Sequence, residues 1–329
     1  MKQFLKKFFG FSIILLVIFL SSFILGKFGV ESISYYKLPA DKKYIMLGHS
    51  HSEVAYDDSM INNFSNFANS GEAYFYTYLK ARKLIKENEH IQVVFIEYSN
   101  NQLTKQFEEF IWDDVYLPIR LPAYLPLMDF SELNLLVSNN TSMFQNQIVK
   151  ALMKNTFHNI GAIINKGNCQ VNNLRFGGFL SRESSHVDSL VQSADKTRKE
   201  DIDFEISKIN LFYLKKTIDL CESNGKKVIL VRTPIHENWE GLYSEKAYKK
   251  NLKANFPDVE YVDFNGFKLK NSEFYDFSHM NEIGSKVYST WFNEILNQGF
   301  LEVQEKQAYT DKQIDLIVKK NNLVLMDVE

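Results

Sequence analysis

Four short apolar runs predict a sheet of buried parallel strands. The runs occupy residues 43–47, 92–98, 227–232 and 260–264. Their apolar positions are continuous rather than alternating, which is typical of parallel strands that are covered on both faces. The second and third runs are rich in β-branched residues, so they predict strands more strongly than the other two.

Helical periodicity fills the spaces between these runs. Apolar residues recur at helical spacing across 74–85 and across 211–218. The second of these helices ends at Asn224-Gly225, a favourable stop signal. Strands that alternate with helices of this length predict a doubly wound α/β domain of the flavodoxin-like kind, a three-layer sandwich around a mainly parallel sheet.

The N-terminal segment is apolar on every face. Residues 8–26 carry no charge between Lys7 and Lys27, and their number is about what crosses a hydrocarbon core as a helix. No small-residue cleavage site follows, which favours an uncleaved anchor over a signal peptide. Because Lys2, Lys6 and Lys7 precede the run and only Lys27 follows it, we expect a cytoplasmic N-terminus and an extracytoplasmic body.

These patterns divide the chain into four segments. We expect a membrane anchor at 1–28, a linker at 29–42, an α/β domain at 43–300 and a charged tail at 301–329. The domain contains a partly helical insertion at about 102–200 without a clear strand. Insertions of this kind often cover or shape an active site.

The composition excludes several classes of function. The chain has 38 Lys+Arg against 40 Asp+Glu, so it lacks the basic footprint of a nucleic-acid binder. Two cysteines are too few for a disulfide scaffold or a four-thiolate zinc site. Cys169 and Cys221 could pair outside the cytoplasm, although Cys221 continues the apolar face of the 211–218 helix. An enzyme or a binding domain remains.

Polar residues with catalytic potential follow the first strand, in Gly48-His49-Ser50-His51-Ser52. A serine just beyond a strand presents its hydroxyl at the carboxyl edge of the sheet. The helix that follows points backbone N–H groups at any oxyanion formed there. A serine at such a junction more often only caps a helix, so this motif alone is a weak signal.

A second motif lies near the C-terminal end of the domain, where Asp276 precedes His279 by three residues. Such an aspartate can hold the Nδ1–H of the imidazole, which leaves Nε2 free to take a proton from a serine. Together, the two motifs predict a catalytic triad with Ser50 as nucleophile, His279 as base and Asp276 as the residue that orients it.

With these motifs the chain resembles the SGNH (GDSL-like) hydrolase superfamily, and more closely its membrane-anchored branch associated with modifying cell-envelope polymers. The resemblance covers roughly 43–100 and 204–297. It implies an SGNH-like fold and assigns the nucleophile to Ser50 in Gly48-His49-Ser50, although His49 stands where the family usually has Asp.

The resemblance also implies an oxyanion hole. The family's second block supplies a glycine N–H, and Gly71 is its match in this chain. The third block is normally G-x-N-D, whereas residues 97–101 read EYSNN here. Asn100 is the expected side-chain donor and Asn101 the fallback.

Three further histidines are expected at the same edge of the sheet and form a possible substrate pocket: His49, His51 and His236. The first two form an H-x-H pair, but two ligands do not make a metal site and no third is spaced to be recognised, so we expect no metal. His236 follows the third strand, where it either lines the pocket or bonds to the backbone of its own loop.

The sequence therefore predicts a membrane-anchored, extracytoplasmic serine esterase or O-acyltransferase without a cofactor. Its expected partners are the lipid bilayer, through residues 8–26, and an acylated glycan or other cell-envelope ester; the substrate class follows from the resemblance alone. The alternative is a non-catalytic SGNH-like carbohydrate-binding or assembly factor, favoured by the altered third block and opposed by Ser50, Asp276 and His279. Metal-assisted hydrolysis through His49, His51 and a carboxylate is a third hypothesis.

Overall fold

The computed structural model describes residues 1–32, 36–164, 177–193 and 203–326. The pairing of Cys169 with Cys221 cannot be followed, because Cys169 lies outside these residues. Cys221 itself is fully buried, as its place on the apolar helix face predicts.

Five parallel strands form one sheet in the order β2-β1-β3-β4-β5. This is the flavodoxin-like order, and it confirms the predicted fold class. Four strands coincide with the four apolar runs, and the edge strand β2 is an addition. The strands are β1 Tyr44–Leu47, β2 Phe64–Asn66, β3 Val93–Glu97, β4 Lys227–Arg232 and β5 Glu260–Asp263.

Twelve α-helices are present in the described residues. Both helices predicted between the strands are among them, as α3 and α9, and α9 ends next to Gly225, whose φ of 70° suits a glycine. The helices are α1 Lys2–Ser32, α2 Ser50–Ala55, α3 Tyr74–Glu87, α4 Glu109–Trp112, α5 Leu117–Tyr124, α6 Phe130–Asn139, α7 Thr141–Ile164, α8 Val187–Ser193, α9 Lys208–Ser223, α10 Glu245–Asn255, α11 Glu282–Asn297 and α12 Lys306–Met326.

The sheet is covered on both faces. Successive side chains of a strand point to opposite faces, and those of β3 are buried on both. Val93 and Phe95 of β3 belong to a buried cluster that also contains Tyr288 and Phe292 of α11. Val94 of β3 is equally buried and points the other way. Helices α2 and α11 pack together, as do α3 and α9.

The chain forms two compact units. The α/β unit comprises the described residues of 39–110 and 176–329, including the tail helix α12, which packs on β5. The other unit comprises those of 1–38 and 111–175, where the described residues contain helices and no strand. Within this second unit, α7 packs against α1, α5 and α6. By length and composition, Lys2–Ser21 of α1 is apolar enough to cross a membrane, and none of it is buried.

Candidate active site

A continuous chain of hydrogen bonds joins the three residues of the predicted triad. Ser50 Oγ lies 2.8 Å from His279 Nε2. On the opposite side of the imidazole, His279 Nδ1 lies 2.9 Å from each carboxylate oxygen of Asp276. The residues come from distant parts of the sequence, since Ser50 and His279 are 229 positions apart. These contacts meet the geometry that a serine nucleophile, a general base and an orienting carboxylate require.

The carboxylate of Asp276 holds the loop that carries Asp276 and His279 by accepting hydrogen bonds from the backbone of that loop. Asp276 Oδ1 accepts the backbone N–H of Ser278 at 2.8 Å and that of His279 at 2.9 Å. Burial works to raise the pKa of Asp276, but the hydrogen bond and charge of His279, with the donors of Ser278, hold that pKa well below its ordinary value. The carboxylate is therefore ionised across the neutral range, and it fixes the Nδ1–H tautomer of His279.

Ser50 is placed by the abrupt change from strand to helix. Strand β1 ends at Leu47, and Ser50 is already the first residue of α2. The turn between them lies directly against Glu97. A Cβ added at Gly48 would come within 2.6 Å of the Glu97 Cβ atom and of Oε2. Only a glycine fits such an approach, which accounts for Gly48 in physical terms.

Glu97, at the carboxyl end of β3, caps the helix that carries Ser50. Its Oε2 accepts the backbone N–H of His49 and that of Ser52, both at 3.0 Å. These groups are among the amides that a helix N-terminus leaves without intrahelical partners. A buried carboxylate on the neighbouring strand thus fixes the orientation of α2, and with it the position of Ser50.

The same carboxylate faces two buried imidazoles. Glu97 Oε1 lies 2.9 Å from His49 Nε2 and 3.4 Å from His51 Nδ1, without an aligned hydrogen bond to either. Burial would raise the pKa of Glu97, but His49, His51 and the surrounding donors bring it down to about 2. Burial, with His49 next, lowers the pKa of His51 well below its ordinary value, so that ring is neutral.

His49 makes a second imidazole contact with Ser50. Its Nδ1 lies 3.2 Å from Ser50 Oγ, and its Nε2 lies 2.7 Å from Ser99 Oγ. Ser99 donates its hydroxyl proton to the Oδ1 of Asn101 at 2.8 Å, so Ser99 Oγ accepts from His49 and the proton of His49 is on Nε2. The Nδ1 of His49 therefore faces Ser50, as a second and longer contact beside that of His279.

The structure brings a third possible metal ligand, Glu97, next to His49 and His51. The spacing of the two histidines in the sequence does not reveal it. One donor atom each of His49, His51 and Glu97 lies within 4.8 Å of the others. However, His49 Nε2 is hydrogen-bonded to Ser99, and a zinc–nitrogen bond of about 2.1 Å would have to displace that hydroxyl. Two amides already engage Glu97 Oε2. The cluster fits a hydrogen-bonded support for α2 better than a metal centre.

Three N–H groups of the expected oxyanion donors lack acceptors in the described part of the chain. They are the backbone N–H groups of Ser50 and Gly71 and the Nδ2 of Asn100, which is buried. The loop of Gly71 is tied to the turn before Ser50, because the N–H of Asn69 donates to the carbonyl of Gly48 at 3.0 Å. Gly71 has a φ of 64°, a conformation that favours glycine. Unpartnered donors of this kind are what an oxyanion hole requires.

Arg232, at the end of β4, fixes the orientation of the Asn100 amide. Its Nη1 donates to Asn100 Oδ1 at 3.4 Å and to Glu245 Oε2 at 2.5 Å, and its other nitrogens bond Asp263. Because a guanidinium only donates, the oxygen of Asn100 must face Arg232 and the NH₂ must face away. Asn101, the fallback donor, is engaged through its oxygen by Ser99.

His236 forms its hydrogen bonds with residues outside this network. Its Nε2 is 3.0 Å from Asn271 Oδ1, and its Nδ1 accepts the backbone N–H of Asn238 at 3.1 Å. The ring also stacks on Phe277, with centroids 4.9 Å apart. Both ring nitrogens are thus occupied within loops of the protein, and the ring supports the segment that precedes Ser278.

Glu97 and Arg232 are the site residues that the sequence does not assign. Each is a charged residue at the end of an otherwise apolar strand, and each is buried. Isolated charges are costly to bury, so a charge that ends a strand predicted to be covered on both faces is a signal of a built polar site. That signal was available in both sequence runs.

Comparisons with known proteins add little to this geometry. A protein-family model that carries no description matches residues 184–301. No match is found among curated proteins. Among solved structures, the chain is similar to a Bacteroides fragilis protein provisionally described as an acylhydrolase, with a TM-score of 0.35 and 12% identity over 78% of this chain and 87% of that one. At this TM-score the likeness carries no argument about function.

Proposed function

We propose that this chain is a membrane-anchored serine hydrolase or O-acyltransferase that cleaves an ester through an acyl-enzyme on Ser50. The observation that carries the proposal is the unbroken hydrogen-bond chain from Ser50 Oγ through His279 to Asp276. An imidazole that is bonded at one nitrogen to a carboxylate and at the other to a serine is the arrangement that activates a hydroxyl as a nucleophile.

In the first half-reaction, Ser50 Oγ attacks the ester carbonyl while His279 Nε2 takes the hydroxyl proton. The carbon–oxygen double bond opens to an oxyanion, and its collapse expels the alkoxide, which receives the proton from His279. Asp276 remains ionised throughout and stabilises the imidazolium. The product of this half-reaction is an ester between the acyl group and Ser50.

The oxyanion would be held by donors that have no other acceptor. The N–H groups of Ser50 and Gly71 and the Nδ2 of Asn100 are the candidates. Arg232 gives the Asn100 amide a fixed orientation before substrate arrives, so little reorganisation is needed during the reaction. This assignment deepens the implication of the SGNH resemblance, since the altered third block still offers a preoriented amide donor.

In the second half-reaction, water or a sugar hydroxyl attacks the acyl-enzyme with His279 as its base. Hydrolysis and transfer share the intermediate and differ only in this acceptor. The proposed substrate is an acylated glycan or another envelope ester, on the strength of the resemblance. The body is proposed to lie outside the cytoplasm because Lys2, Lys6 and Lys7 precede the apolar run and only Lys27 follows it.

The test is ester turnover by the full chain in detergent, with p-nitrophenyl acetate as substrate. We expect Ser50→Ala and His279→Ala each to lower kcat by at least about 10³-fold. Ser59→Ala removes an exposed hydroxyl elsewhere in the α/β unit, and this variant should retain activity.

Turnover that persists in Ser50→Ala would exclude the proposed nucleophile. If neither the wild-type chain nor any variant turns over the ester, and Ser50→Ala does not impair glycan binding, the non-catalytic hypothesis is favoured. If acetyl transfer to an added oligosaccharide exceeds release to water, the chain is a transferase rather than a hydrolase.

A further inference from the structure

Helix α7 carries a stripe of exposed apolar side chains. The stripe consists of Val149, Met153, Phe157, Ile160 and Ile164, which are between 39% and 72% exposed. At about 100° per residue, the five positions fall within an arc of about 80° around the helix axis. The helix therefore has a continuous apolar face that nothing in the described part of the chain covers.

Exposed apolar residues are concentrated in the same unit. Beyond residue 32, thirteen large apolar side chains are exposed among the described residues, and eight lie within 111–164, although this segment is much shorter than the α/β unit. Those eight are Val115, Ile119, Phe130, Val149, Met153, Phe157, Ile160 and Ile164. Soluble surfaces rarely concentrate such residues without a partner.

Two observations indicate which partner fits the stripe. First, α7 packs against α1, whose segment Lys2–Ser21 has no buried residue and is apolar enough to cross a membrane. Second, the only Lys, Arg, Asp or Glu residues of α7 are Lys150 and Lys154, both of which are exposed. They lie beside the stripe, at about 100° and about 140° from Val149. An apolar face bordered by lysines is typical of a helix that lies in a membrane interface with anionic lipid.

We propose that α7 is an interfacial membrane helix, whose stripe inserts into the bilayer that α1 crosses. Lys150 and Lys154 contact anionic headgroups, while Met153 and Phe157 reach the acyl-chain region. The 111–164 segment is thereby a second membrane attachment in addition to the N-terminal anchor. This inference concerns the insertion and is independent of the ester chemistry of Ser50.

The experiment measures the depth of single residues in the full chain, reconstituted in vesicles of phosphatidylcholine and phosphatidylglycerol. The native cysteines are replaced as Cys169→Ser and Cys221→Ala. An environment-sensitive fluorophore is then attached to Met153→Cys or Phe157→Cys. The matched control is Phe212→Cys, an exposed aromatic position of α9 in the α/β unit.

We expect lipids with brominated acyl chains to quench the probes at 153 and 157 strongly, and aqueous iodide to quench them several-fold less than the probe at 212. Two results would overturn the proposal. Iodide quenching at 153 and 157 equal to that at 212 would show that the stripe is in water. Protection from both quenchers would show that a protein, such as a second copy of the chain, covers it.

A charge-reversal variant, read out at a third probe position, tests the role of the lysines separately. Lys150→Glu with Lys154→Glu leaves the stripe intact and changes only its border. With a probe at Ile160→Cys, we expect this variant to lose at least half of the bromolipid quenching when phosphatidylglycerol is present. Unchanged quenching in the variant would contradict the role of the lysines and of anionic lipid.

Discussion

Removal of the charge of Glu97 is the perturbation whose magnitude the structure defines best. Glu97→Gln preserves the shape of a fully buried side chain, and the amide oxygen can still accept the N–H groups of His49 and Ser52. The new NH₂ group must then face the protonated Nε2 of His49, which lies 2.9 Å from the replaced oxygen. A favourable contact becomes one between two donors.

The pKa of Glu97 gives the size of the effect. It falls from the ordinary value of 4.5 to about 2 in the folded protein. At about 1.4 kcal/mol per unit, this shift corresponds to a stabilisation on the order of 3 kcal/mol. Because the folded pKa lies below the ordinary one, the stabilisation is fully present above pH 4.5. It is lost as the pH falls from 4.5 toward 2.

The assay is urea unfolding of the full chain in detergent, followed by tryptophan fluorescence. At pH 7 we expect Glu97→Gln to lower the free energy of unfolding by about 2–4 kcal/mol, and the difference from wild type to shrink below pH 4.5. Glu87→Gln, which breaks a half-buried i,i+4 pair with Lys83 within α3, should cost less than about 0.5 kcal/mol. Equal losses in the two variants, or a difference that does not vary with pH, would refute this reasoning.

Three further predictions concern the chemistry of the site. Asp276→Asn should lower kcat for p-nitrophenyl acetate by about 10³–10⁴-fold with little change in KM, because the imidazole loses its fixed tautomer; a loss that appears only in KM would argue against this role. Asn100→Ala should lower kcat by about 10²-fold, as the loss of one oxyanion donor does, and an unchanged rate would remove Asn100 from the hole. Treatment with EDTA should leave the rate unchanged, since Ser99 occupies His49 Nε2; inactivation that zinc reverses would instead support the metal hypothesis.

The sequence predicts the central strands well because burial on both faces leaves a continuous apolar pattern. β3 and β4 are recognisable from their own residues. β2 is not, since Phe64–Asn66 is only three residues long and contains two polar side chains. This edge strand pairs with β1 alone, so tertiary contacts rather than local pattern determine it.

The candidate site shows the same division. The spacing of Asp276 and His279 is local, and a single loop suffices to bring them together. The support of Ser50 and Asn100 is non-local: Glu97 reaches His49 across 48 positions, and Arg232 reaches Asn100 across 132. Pairings of that range follow from the order of strands in the sheet, which no short motif contains.

The most direct test of the proposed chemistry is covalent labelling of the full chain with a serine-reactive fluorophosphonate, located by mass spectrometry of peptides. The account predicts that the label is on Ser50, that it is absent in Ser50→Ala and strongly reduced in His279→Ala, and that Ser52→Ala is still labelled. Labelling of another serine, or equal labelling of Ser50 with and without His279, would contradict the proposal that His279 activates Ser50.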